Sequence, residues 1–123
     1  MKYLLLIYSN PESWEHPMFE RDPEFLALAQ AEREEIIQGA EDVFAEISES
    51  GELVGGVALA DPAGTVTVRA TVVTDGPYLE AKEQLAGYFV LDCASPERAA
   101  EIAARFPDAR FGAVEIRPIV DAG

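Results

Sequence analysis

Hydrophobic positions recur along the chain with two different periods. From Lys2 to Tyr8 every residue after the lysine is apolar or aromatic, so both alternating faces are hydrophobic. That is the pattern of a strand covered on both sides. Asn10, Pro11 and Pro17 then bracket a loop that carries Trp14 and His16. Asp22-Pro23-Glu24 starts a long helix with a capping acid, a proline at the first helical position and an acid in the first turn. The stripe Phe25, Ala29, Ile36, Ala40, Val43 and Ile47 follows helical spacing, while Glu32, Glu34, Glu35, Glu41, Asp42 and Glu46 lie largely off it. Gly39 is a weak point midway, and Ser50-Gly51 is the stop.

Shorter periods follow. Residues 52–59 read as a strand interrupted by Gly55-Gly56, and Asp61-Pro62-Ala63-Gly64 as a turn. Residues 65–73 alternate most cleanly, with Val66, Val68, Ala70 and Val72 on an expected core face and Thr67, Arg69 and Thr71 on a polar one. After the turn-prone Asp75-Gly76-Pro77, residues 85–91 are again apolar on both faces. Ser95-Pro96-Glu97 begins a second helix bearing Ala99, Ile102, Ala103 and Phe106, which Pro107 closes. Residues 113–119 form the last strand, with Val114 and Ile116 on one face and Glu115 and Arg117 on the other.

The order strand, helix, strand, strand, helix, strand predicts an α+β fold of the ferredoxin-like split β-α-β type, two helices covering one face of an antiparallel sheet. Strands apolar on both sides then need a cover on the second face. With no helix left over, a homodimer with sheet facing sheet is expected.

Composition narrows the functional classes. The 123 residues are 49% hydrophobic and 26% charged, as expected for a single domain spanning 1–123. Nine basic against 23 acidic side chains give a formal charge of -14, which argues against nucleic acid and anionic membrane as partners. The imbalance is largest in residues 1–50, with 3 basic and 12 acidic side chains (net -9). Cys93 is the single cysteine, so no intrachain disulfide forms, and its apolar neighbours predict a buried thiol. One histidine and one cysteine cannot furnish a zinc site, and neither a P-loop nor a G-x-G-x-x-G motif occurs, so no metal or cofactor is expected. No run approaches the ~18 apolar residues of a membrane span, and a cytoplasmic location is the default expectation.

The richest cluster of ionisable groups is Thr74-Asp75-Gly76-Pro77-Tyr78-Leu79-Glu80-Ala81-Lys82-Glu83-Gln84-Leu85-Ala86-Gly87. Its bland reading is a turn followed by a solvated connection. The segment also resembles the signature of YCII-related proteins of the DGPF type: Asp-Gly-Pro-Phe, a Glu, then Lys-Glu-Gln-Leu before glycine. The opening residues 2–8, the small-residue strand after the first helix and the closing Val114-Glu115-Ile116-Arg117-Pro118-Ile119 look like the corresponding family segments, so the resemblance spans nearly the whole chain. Departures are Tyr78 for phenylalanine, Ala81 for a hydroxyl residue and Ala86 for a second glycine.

The resemblance implies a dimeric α/β-barrel assembly and a family whose biochemical role is mostly unassigned. Some members of the wider superfamily are small-molecule enzymes, one in chlorinated aromatic breakdown, for which a His and Asp pair has been proposed as reactive centre. DGPF proteins also often lie beside sigma-factor genes. Asp75, Gly76, Pro77, Glu80, Lys82 and Glu83 match the motif. Asp75 is a candidate acid–base if desolvated, or a turn-capping aspartate. His16 is the one imidazole available for proton transfer, or a surface residue. Lys82 holds an anionic substrate group or pairs with Glu83 or Glu80. Arg69 and Arg117 bind a carboxylate, or form interface ion pairs with Glu115. The first reading is therefore a small organic ligand, aromatic or carboxylate-bearing, undergoing elimination or isomerisation, with Asp75 and His16 catalytic and Tyr8, Arg69, Gly76, Pro77, Tyr78, Lys82 and Arg117 binding. The alternative is a non-catalytic ligand-sensing or interaction module linked to sigma-factor regulation, with the acidic helix as its surface.

Overall fold

Alternate residues of β1 (Lys2–Ser9) meet different surroundings in the computed structural model, which describes residues 1–10, 13–78 and 83–120. Tyr3, Leu5 and Ile7 are buried, whereas Leu4, Leu6 and Tyr8 keep partial exposure. β1 and β5 (Gln84–Asp92) are the inner strands of an antiparallel four-stranded sheet of order β2-β5-β1-β6, with β2 at Leu53–Ala58 and β6 at Ala113–Pro118. The inner strands are the two whose sequences are apolar on both sides. This strand order, with its two long helices on one face, is the expected ferredoxin-like α+β topology.

The helices are α1 (Pro23–Leu26), α2 (Gln30–Ser50), α3 (Pro96–Arg105) and α4 (Asp108–Phe111). The single long helix expected from Pro23 is two helices, because the chain opens at Ala29, whose extended backbone caps α2. Gly39 does not interrupt α2, since packing along its length outweighs about 1 kcal/mol of lost propensity. Gly51 ends it in the left-handed region at φ 80°. Val43 and Ile47 of α2 meet Tyr3, Leu5 and Leu91 of the sheet and Ala99, Ile102 and Phe106 of the α3 region in the main core. Cys93 is buried there too. The N-terminal half of α2 instead packs Ile36, Ile37 and Ala40 against a cluster of Phe19, Phe25 and Phe111.

The segment 65–73 departs from expectation. It is not a sheet strand with a core face but a hairpin, β3 (Val66–Arg69) and β4 (Val72–Asp75), paired apart from the main sheet. The reversal falls at Ala70, whose φ of 55° places a non-glycine residue in the left-handed region. β5 occupies the place beside β2 expected for this segment, and the segment pairs with itself. Val66, Val68, Val72 and Val73 are accordingly all exposed.

The sheet face opposite the helices carries Leu4, Leu6, Tyr8, Val57, Tyr88 and Val90 across its middle, bordered by Glu115 and Arg117 of β6. Among the described residues no helix is long and apolar enough to cross a membrane.

Candidate functional site

The two halves of α2 bury against different partners, and a cavity of about 740 Å³ opens between them and the sheet. That volume lies within the roughly 300–1,000 Å³ range of small-molecule sites. Its floor is Ile7, residues 56–58 of β2 and residues 86–89 of β5. One wall is α2 with Ile37, Ala40, Glu41 and Phe44, another is Phe106-Pro107-Asp108, and the segment His16–Glu20 lies across the remaining side. Small residues leave the space: Ala40, Gly56, Ala58, Ala86 and Gly87 are too short to bridge sheet and helix. At Gly56 a Cβ would stand 2.5 Å from Phe89 Cδ1, so only glycine lets that ring lie flat beside β2. A bulge between Ile7 and Tyr8 turns Ala86 inward beside Ile7 and Met18.

Phe44, Phe89 and Phe106 form an aromatic wall, with ring centroids 5.1–5.4 Å apart. Polar groups stand at the edges. The ring nitrogen Nε2 of His16 lies 2.7 Å from the Leu59 carbonyl, which also accepts from Trp14 Nε1 at 2.9 Å. A carbonyl only accepts, so Nε2 carries a proton and Nδ1 remains as the acceptor of the neutral ring. The Trp14 ring meets His16 edge-on at 6.0 Å and helps hold its plane. Asp108 begins α4 across the cavity. Burial pushes its carboxyl above the ordinary range, while its own backbone N–H and the nearby His16 pull the other way.

The other sequence candidates lie elsewhere. Asp75 is the exposed last residue of β4, opposite Val66, and does not line the cavity. Gly76, at φ 96°, closes the hairpin: its N–H donates to Thr65 O at 2.6 Å and its carbonyl accepts from Thr67 Oγ1 at 2.7 Å. Asp75-Gly76-Pro77 thus lies at the open end of the hairpin, away from the cavity. Arg69 places its guanidinium 5.5 Å from the centre of the exposed Tyr78 ring. Tyr8 and Arg117 stand on the open sheet face, and Lys82 and Glu80 lie outside the described residues. Among the described residues His16 is the one sequence candidate on the cavity. Sequence reasoning missed Asp108, whose only local signal is a proline just after the second helix, and the aromatic wall, whose three rings come from three elements.

The YCII-related domain model matches residues 1–122. The chain belongs to this family. An uncharacterised protein of Rhizobium meliloti (strain 1021) is 32% identical over 99 residues, covering 76% of this chain and 80% of the relative. Among solved structures, 5-chloro-2-hydroxyhydroquinone dehydrochlorinase from Burkholderia phenoliruptrix AC1100, in complex with 2,5-dihydroxybenzoquinone, is similar with a TM-score of 0.47 and 11% identity, over 99% of this chain and 96% of that one.

Proposed function

We propose that this YCII-related protein binds a small organic molecule in the cavity between α2 and the sheet, and that His16 moves a proton on it. The observation that carries the reading is the His16 hydrogen bond: Nε2 is committed to the Leu59 carbonyl, which leaves Nδ1 as a proton acceptor at an apolar cavity. Loss of a carbon-bound proton to Nδ1, followed by departure of a leaving group or return of the proton to another carbon, is elimination or isomerisation and needs no cofactor. Asp108 across the cavity stabilises the imidazolium that forms, or returns the proton in its acid form, which burial favours.

A second copy of the chain covers the open sheet face in this reading. The support is its apolar middle, including Val57 at 45% exposure, with opposite charges on neighbouring β6 positions Glu115 and Arg117. A two-fold axis sets such a pair against its own copy with signs matched.

Two experiments test the proposal. Titrating the ¹⁵N-labelled protein with benzyl alcohol is expected to shift amides of Ile7, Ala40, Phe44, Gly56 and Phe89, and Ala40→Trp or Ala58→Phe to abolish the shifts by filling the cavity. Ala58 is exposed on β2, so the second variant spares the core. Shifts elsewhere, or shifts that persist in both variants, overturn the binding site. Incubating 1-phenylpropan-2-one in D₂O is expected to give benzylic exchange faster than equimolar imidazole does, falling to background in His16→Gln. An unchanged rate in that variant overturns the proton-transfer role.

A further inference from the structure

Carboxylates dominate the charge lining the cavity, and His16 is the one basic side chain on it among the described residues. Its carboxylates are Glu20, Glu41 and Asp108, and among the described residues neither lysine nor arginine lines it. Of the basic side chains around it, Arg98 and Arg105 bind Glu46 on the far half of α2, Arg21 binds Glu15, and Arg110 lies over the Phe111 ring. Neither Arg69 nor Arg117, the expected partners of a carboxylate ligand, lines it. We infer that the ligand of this cavity is an organic cation, an ammonium group on an apolar or aromatic body. The inference rests on the cavity being a ligand site, as proposed above.

Three observations carry it. Phe44, Phe89 and Phe106 supply an aromatic wall, which accommodates an apolar body and attracts a neighbouring cation through the ring quadrupole. Glu20 and Glu41 sit on the two sides, the first on the crossing segment and the second on α2, where an ammonium donates to either carboxylate. The whole molecule, at a formal -14 with -9 in residues 1–50, raises the local concentration of cations and lowers that of anions. An anionic ligand would lose on all three counts.

The test uses three probes of equal size on the full-length chain near neutral pH and low salt: benzylammonium, benzyl alcohol and benzoate, each titrated by amide shifts. Benzylammonium is expected to bind about tenfold more tightly than benzyl alcohol, as one charge-assisted hydrogen bond allows, and benzoate more weakly than either. In the Glu20→Gln/Glu41→Gln double variant the ammonium preference is expected to collapse while benzyl alcohol binds as before. Added salt should narrow the preference in the parent chain only. Equal affinities for the ammonium and the alcohol, or tightest binding of benzoate, overturn the charge assignment and leave the cavity standing. Absence of cavity shifts with all three probes overturns the binding reading itself.

Discussion

At the scale of single residues, the environment rather than the residue type assigns roles. Two aspartates show this. Asp75 sits in a motif and is exposed at the open end of the hairpin, paired with Val66. Asp108 sits in no motif, yet burial at the cavity raises its carboxyl above the ordinary range. A carboxyl whose folded pKa is raised binds its proton more firmly in the folded state than in the unfolded one. Folding stability therefore falls as pH rises from the ordinary value of 3.8 through the raised folded one. Asp108→Asn removes that slope. Its melting temperature relative to the parent is expected to climb with pH from about 4 upward and then level off, as followed by circular dichroism. A constant difference across that range would show that Asp108 titrates as it does in the unfolded chain.

At the scale of elements, one arginine ties three of them together. Arg98, near the start of α3, donates from Nε and Nη2 to Glu52 just before β2, at 2.9 and 3.0 Å, and from Nη2 to Glu46 of α2 at 3.0 Å. Arg105 joins the same Glu46 at 2.7 Å, and Ser50 Oγ donates to Glu52 at 2.8 Å. The Arg98 and Ser50 hydrogen bonds hold the Glu52 carboxyl at about 2, well below the ordinary value of 4.5. A depressed carboxylate contributes stability that is complete above about 4.5 and is lost as pH falls toward about 2. Arg98 and Glu52 are 24% and 18% exposed, so this leg matters more than the Arg98–Glu101 pair, where Glu101 is 64% exposed. Glu52→Gln is expected to cost about 2 kcal/mol in urea unfolding at pH 7, and progressively less as the pH is lowered to 3. An equal cost at both values would remove the ionic part of this link. The β3–β4 hairpin contrasts with this arrangement, since it has turn closure and cross-strand bonds but exposed valines on both faces.

At the scale of the whole molecule, the proposed assembly rests on the open sheet face. The proposed dimer predicts that sedimentation velocity at micromolar concentration finds twice the chain mass, and that Leu6→Glu, in the middle of that face, yields monomer that keeps its circular dichroism spectrum. A monomeric parent chain would overturn the assembly and leave the cavity, which lies on the helical side, untouched. Much of the architecture was legible in the residue pattern. Two-sided apolarity marked residues 2–8 and 85–91, which the structure places as the inner strands β1 and β5, and Ser95-Pro96-Glu97 marked the α3 start, where Ser95 Oγ accepts from Arg98 N. These features depend on neighbours a few residues apart, so local periodicity and capping suffice to specify them. Alternation in 65–73 was equally clear and led to the wrong pairing, because a period of two reports extended backbone and says nothing of which strand lies alongside. The cavity was hidden for a related reason. Its acids, its histidine and its aromatic wall come from the crossing segment, α2, β5, the end of α3 and the start of α4, and only the packing of α2 over small residues of β2 and β5 brings them around one space. Spacing along a chain records contacts within an element, whereas a void between elements is set by side-chain volumes meeting across the fold.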